Sequence, residues 1–278
     1  CRCQATTFED NITDRCPETM NQRILDYNRS AWDHQVQKKN RWTVPVTSEQ
    51  INHARKGDWS LVLTPTKPVP GGWFPDLENC KVLCLASGGG QQGPILSAAG
   101  ADVTVFDNSP QQLAQDQMVA NRDELNLQTI QGDMADLSAM ESDRFDLVFH
   151  PCSNTFVPDV NPVWRECYRV LKKGGTMISG FCNPVLFLFD DGANSQEKLV
   201  VRFEIPYSDE ESLEDSAKQA LIEASEPFCF GHTLTDLIGG QCAAGFSIID
   251  FYEDHWEEGG SPIDRYIDCF VGTRAIKL

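Results

Sequence analysis

Between Cys80 and Phe181, short apolar runs alternate with longer stretches in which apolar residues recur every three or four positions. That pattern predicts strands followed by amphipathic helices. The strands fall at Lys81–Leu85, Asp102–Phe106, Leu127–Gln131, Phe145–His150 and Thr176–Phe181. Helices are expected at Ile95–Ala99, at Gln111–Glu124 with Leu113, Met118 and Leu125 along one side, and at Val163–Leu171. The last carries Val163, Cys167, Val170 and Leu171 on one face, and Lys172-Lys173-Gly174-Gly175 would end it, since basic residues and glycine suit a helix C-terminus. Strands alternating with helices imply a parallel sheet with right-handed crossovers.

The flanks read differently. Residues 1–20 are polar without periodicity and are expected to form a flexible tail. Residues 21–79 form an N-terminal cap in this reading. Ile24, Leu25, Tyr27, Ala31, Trp32 and Val36 outline a helix reaching about Lys39, with Asn28-Arg29-Ser30 as the place for a break. A second helix is expected over Glu49–Lys56 with Ser48 as its N-cap. Residues 58–76, rich in Pro, Gly and Trp, read as an ordered loop. Trp32, Trp42, Trp59 and Trp73 serve either to pack the cap on the sheet, expected for most, or to roof a pocket, expected for one.

Residues 80–278 form the main domain, with 183–230 as an insertion after the fifth strand. There Leu199–Ile205 reads as an added strand and Ser208–Glu226 as an acidic helix. Phe187, Phe189, Phe203, Tyr207 and Phe228 either enclose a small, partly apolar molecule or form a local core. Thr233–Ala244 reads as a helix, with Thr233 and Asp236 spaced as a capping-box variant. Phe246–Tyr252 and Tyr266–Ala275 read as two final strands that pair antiparallel.

Charge narrows the range of partners. A formal net charge of -18 repels phosphate backbones, so nucleic acid is disfavoured as a substrate. No apolar stretch is long enough for a membrane span. The 11 cysteines include no C-x-x-C pair. That usage, with no signal-peptide pattern at the start, leads us to expect a cytoplasmic location. Cys1, Cys3 and Cys16 either belong to the tail or bind a soft metal; the tail is the expected reading, and no metal site is expected.

The unusual residues gather at the carboxyl ends of the predicted strands, where open α/β sheets bind ligands. They are Ser87-Gly88-Gly89-Gly90, Asp107, Asp133 and His150-Pro151-Cys152-Ser153-Asn154. In order along the chain, Val82-Leu83-Cys84-Leu85-Ala86-Ser87-Gly88-Gly89-Gly90, Val105-Phe106-Asp107-Asn108-Ser109, Gln131-Gly132-Asp133-Met134, Phe145-Asp146-Leu147-Val148-Phe149 and Tyr168-Arg169-Val170-Leu171-Lys172-Lys173-Gly174-Gly175 resemble a class I S-adenosylmethionine (SAM)-dependent methyltransferase. The resemblance is specific over Lys81–Phe181 and looser from Thr233 onward.

That resemblance implies a Rossmann-like α/β fold: a mostly parallel seven-stranded sheet flanked by helices, the last strand antiparallel. It implies SAM as cofactor and methyl transfer to a small-molecule acceptor. Ala86, Ser87, Gly88, Gly90 and Gln92 would surround the methionine part, Asp107 and Asn108 the ribose, Asp133 and Met134 the adenine, and His150 and Pro151 the sulfonium. His150 is either a general base or a packed or cofactor-lining residue, and Asn154 could orient a substrate or cofactor; His232 reads as a weaker base or a structural group. The chain departs from the family where Cys84 replaces an acidic residue and Ala86 a glycine. The cofactor's ammonium then needs another partner, and Gln91, Gln92, Tyr27 or Trp32 could contribute. Two other readings stay open: a SAM-binding protein without catalysis, and a nicotinamide-dependent oxidoreductase, against which Gly132-Asp133-Met134 after the third strand speaks, since it resembles the methyltransferase pattern.

Overall fold

Val82 and Cys84 face one side of the first strand, Leu83 and Leu85 the other, and each pair enters a separate hydrophobic core. The computed structural model describes residues 19–189, 199–257 and 260–278. The expected tail, with Cys1, Cys3 and Cys16, lies outside these residues except for Thr19 and Met20.

Helix α1 (Met20–Gln37) is capped by Thr19 and runs unbroken through Asn28-Arg29-Ser30. Asn28 is buried there because its side chain is used: Nδ2 donates to Phe156 O (3.0 Å) and Phe228 O (3.1 Å), while Oδ1 accepts from Phe228 N (2.8 Å). Helix α2 (Ser48–Ala54) is capped one residue earlier than expected, by Thr47, in a capping box with Gln50.

β1 (Lys81–Leu85), β3 (Leu127–Gln131) and β4 (Phe145–His150) have the limits read from the sequence, and β2 (Asp102–Asp107) gains one residue. Helix α3 (Gln92–Ala98) starts three residues early, and α4 (Pro110–Asp123) is buried through Gln112, Leu113, Asp116, Val119 and Ala120. Met118, placed with the core by its apolar character, is exposed. Helix α5 (Asn161–Val170) passes directly into β5 (Leu171–Cys182). Lys172–Gly175 does not cap the helix but bulges from the strand: Phe145 pairs with Leu171, yet Leu147 pairs with Thr176.

In the insertion, the short strands β6 (Tyr207–Ser208) and β7 (Phe230–Gly231) pair with each other. Between them lie α6 (Asp209–Ser212) and α7 (Asp215–Ala224), so the acidic stretch is two helices. Among the described residues, the strand expected over Leu199–Ile205 reduces to a single bridge, Val201 to Phe189, and Val200 and Val201 are exposed. Thr233 and Asp236 form the expected cap, with Asp236 N donating to Thr233 Oγ1 (3.1 Å) and Thr233 Oγ1 to Asp236 Oδ2 (2.5 Å). A π-helical turn, Thr235–Gly239, leads into α8 (Gly240–Ala244).

β8 (Phe246–Asp254) and β9 (Phe270–Lys277) complete a seven-stranded sheet of order β3-β2-β1-β4-β5-β9-β8. It is parallel through β5, and β9 runs antiparallel to both its neighbours. Strand order reverses at β1, which opens a crevice at the strand ends.

The loop over 58–76 is anchored to β8. Trp73 donates to Asp250 (2.9 Å), and Asp254 accepts from Thr66 N and Lys67 N at 2.9 Å each. Burial opposes ionisation of Asp254, but the donors from Thr64, Thr66 and Lys67 together outweigh it and hold its carboxyl down at about 2. The stabilisation is present above the ordinary carboxylate pKa and lost as pH falls toward 2. Asp254→Ala is expected to destabilise the protein at pH 7 by about 3 kcal/mol, since charged hydrogen bonds are lost and buried donors left unpaired. Urea melts at pH 7 and pH 3 check this, and the gap between variant and wild type should narrow in acid.

Candidate active site

The turn after β1 is a backbone feature before it is a chemical one. Ala86, Gly89 and Gly90 all have positive φ (+46°, +117° and +75°). Ala86 therefore keeps the left-handed conformation that glycine favours. A Cβ at Gly88 would come within 2.8 Å of Gln112 Cβ, and one at Gly89 within 2.7 Å of Trp42 O. The turn is thus clamped between α4 and the cap segment after α1. From the cap side, Val46 N donates to Gly90 O (2.9 Å), and Gln91 Nε2 donates to Arg41 O and Val44 O.

Asp107, at the end of β2, accepts from Gly88 N on one oxygen and Ser109 N on the other, each at 2.9 Å. Burial raises its pKa to about 6, against the lowering effect of these and the Asn108 N–H. Each oxygen keeps a second lone pair. Asn108 is held by α1: Arg29 Nε donates to its Oδ1 (3.0 Å), and its Nδ2 donates to Leu25 O (2.8 Å). Asp133, raised by burial, accepts from Ala135 N.

These residues line one cavity of about 960 Å3. Its floor includes Ala86, Ser87, Gly88, Gln92, Asp107, Asn108, Asp133, Met134 and Pro151. Trp32 and Trp42 from the cap also line it, one tryptophan more than expected, whereas Trp59 packs on Phe74 and Trp73 is buried in the core. Phe187, Phe189, Phe203 and Tyr207 wall its outer part, so the aromatic residues of the insertion face a cavity and also stack on one another. Phe228 sits instead in a small core with Ile24.

Gly90, Tyr27, His150, Asn154 and His232, all singled out in the sequence, do not line it. Gly90 is behind the turn. Tyr27 turns away, stacking on Phe228 at 4.5 Å and donating to Glu226 O (2.7 Å). His150 is completely buried, and burial pushes its pKa down to about 4. Its Nδ1 lies 2.9 Å from Leu85 O, which can only accept, so the neutral ring carries its proton on Nδ1. Its Nε2 then accepts from Asn154 Nδ2 (3.4 Å), and that nitrogen also donates to Gly180 O (2.7 Å). His150 and Asn154 thus tie the ends of β1, β4 and β5 together. His232, also lowered by burial, lies against Asn154 O (3.0 Å).

Other wall residues were missed. Asn28 reads as part of a break in α1, Gln35 is not singled out, and Thr64 falls in a loop, yet all three line the cavity. Asp209 reads as part of an acidic run, but it is buried and accepts from Tyr207 Oη and Cys229 N, both at 2.6 Å. Only the neighbouring aromatic residues could have pointed to it.

A crevice at the strand-order reversal, a glycine turn and a carboxylate at the end of the second strand define a nucleotide-type cofactor site. The comparisons specify it. A methyltransferase-domain family model matches residues 83–179. The chain is 51% identical over 255 residues to the uncharacterized methyltransferase YbaJ of Bacillus subtilis (strain 168), a match covering 92% of this chain and 99% of that protein. Its fold is similar to that of a SAM-dependent methyltransferase from Mesorhizobium loti, with a TM-score of 0.57 and 16% identity over 74% of this chain and 94% of that one. A putative SAM-dependent methyltransferase from Listeria monocytogenes gives 0.59 and 18%, with the same coverage. The chain belongs to the methyltransferases, and its fold is that of the SAM-dependent enzymes with a Rossmann-like sheet. It is an enzyme of methyl transfer, and neither the non-catalytic nor the nicotinamide reading is favoured. Among the described residues, no helix is long and apolar enough to cross a membrane.

Proposed function

We propose that the chain transfers the methyl group of SAM to a small, largely apolar acceptor held in the outer part of the same cavity. The observation that carries this is continuity: one space of about 960 Å3 runs from the ends of β1–β3 to the aromatic wall of the insertion. That is at the upper end of the usual range for small-molecule sites, about 300–1,000 Å3. The net charge of -18 adds to the case against a nucleic-acid acceptor.

SAM fits this floor. Asp107 has lone pairs left to accept from the two ribose hydroxyls, Asp133 would accept from the adenine amino group, and Met134 would pack against the ring. SAM supplies a methyl group on a positive sulfur, an activated carbon with a good leaving group. The protein's task is then to align the nucleophile in line and to exclude water. Trp32, Trp42 and the insertion's aromatic residues provide that enclosure. His150 is poorly suited as the base: its Nδ1 proton is committed to Leu85 and its ring is off the wall.

Thermal-shift titration with SAM, S-adenosylhomocysteine and NADH tests the cofactor. At about 100 times its dissociation constant, a ligand adds about 2.7 kcal/mol, on the order of 5–10 °C for this size. Shifts are expected with the first two alone. A screen of small acceptors with labelled SAM tests the rest, and tight, salt-sensitive binding of tRNA or DNA would sink the small-molecule reading.

A further inference from the structure

Helix α4 meets the glycine turn from beneath with Ser109, its N-cap, then Gln112 and Asp116, a stripe at three- and four-residue spacing. Asp116, like Ser109, has no exposed surface. Its Oδ2 accepts from Gly89 N at 2.9 Å, and Gly90 N also donates to its carboxyl. Its Oδ1 has no hydrogen-bond partner. A buried carboxyl with one unpaired oxygen is costly. Burial raises its pKa to about 8, the glycine N–H groups hold it lower than burial alone would, and Asp107 adds to the rise. A helix residue that only filled core space would be apolar.

Cys84 is the second observation. It lies in the same core as Leu113 and Val119 of α4. Its thiol is pushed well up, first by burial and then by the nearness of Asp116. The two side chains therefore lie near one another, one on β1 and one on α4.

We propose that Asp116 is a positioning residue: it fixes Gly89 and Gly90 in their positive-φ conformation from below, so that the turn is formed before SAM binds. The inference rests on the reading that this turn holds the methionine end of SAM. An acceptor oxygen under Gly89 is the essential feature, and it can be delivered from either α4 or β1.

The test measures SAM affinity by calorimetry, and the melting temperature of the free protein, for four forms: wild type, Asp116→Asn, Asp116→Ala and Asp116→Ala combined with Cys84→Asp. Asp116→Asn keeps an acceptor oxygen and should stay within threefold of wild-type affinity. Asp116→Ala should bind SAM at least tenfold more weakly. Adding Cys84→Asp should recover at least threefold of that loss, which a purely structural role for Asp116 would not produce. Wild-type affinity in Asp116→Ala overturns the proposal. So does a loss above tenfold in Asp116→Asn, or an Asp116→Ala defect that Cys84→Asp leaves unchanged. If Asp116→Ala does not fold, the Asn variant decides on the same threshold. Failure of the wild type to bind SAM would overturn the cofactor assignment itself and is seen before any variant is made.

Discussion

Asp107→Ala is expected to raise the dissociation constant for SAM by about 100-fold. Hydrogen bonds to a charged group contribute about 1.5–3 kcal/mol each, and two ribose hydroxyls share this carboxylate in the proposed complex. The loss is then about 3 kcal/mol or more, which is 100-fold or more in affinity. Asp107→Asn retains one acceptor oxygen and should fall between. Isothermal titration with SAM measures both. Unchanged affinity in the alanine variant would remove the ribose assignment.

The same carboxyl gives a pH signature. Burial raises its pKa to about 6 in the free protein. A raised carboxyl stabilises the fold below its unfolded pKa, and that contribution is lost as pH rises through the folded value. Asp116, raised to about 8, extends the decline. His150, held down at about 4 by burial, and His232, also lowered, oppose this trend below about pH 6.5. The fall in melting temperature of the free protein is therefore expected between about pH 6.5 and 8, where Asp116 titrates. SAM affinity should move the opposite way near pH 6, because an ionised Asp107 has more acceptor capacity for the ribose. A melting series with and without SAM across this range should show the two curves separating.

Val170→Asp is expected to abolish cooperative folding. Val170 is the last residue of α5, fully buried in one core with Trp164, Cys167 and Leu171. An unpaired carboxylate there costs several kcal/mol, against a total stability on the order of 5–15 kcal/mol. Arg165→Asp on the exposed side of the same helix should shift stability by no more than about 0.5 kcal/mol. Circular dichroism melts of the pair check this, and a soluble Val170→Asp with a wild-type transition would refute the packing of α5.

How far the chain could be read in advance depended on what marks each feature. β1, β3 and β4 were legible to the residue because turn residues bound short apolar runs. The cavity floor was legible because glycines and carboxylates at strand ends have few other reasons to be there. Asn28 and Asp116 were not, because a polar residue in an amphipathic helix looks like part of its wet face, and only the tertiary partners show otherwise. Met118 failed in the opposite direction: apolar at the right spacing, yet exposed. Leu199–Ile205 has a strand's composition, but a strand needs a neighbour, and among the described residues only Val201 finds one. His150 stands at a strand end, where a catalytic histidine would be sought, and nothing in the sequence tells that its ring turns inward to Leu85.

Asn28 joins α1 both to the insertion and to the segment after β4 by three hydrogen bonds, and all of them belong to a carboxamide. A carboxamide has no proton to gain or lose over the biological pH range. Asp107, on the cavity floor, does. Acidification should then release the cofactor by weakening the floor's grip while this fastening of the roof stays closed. Bound ligand would leave at low pH through an intact enclosure, with affinity changing steeply and the protection of α1 amides from hydrogen exchange hardly at all.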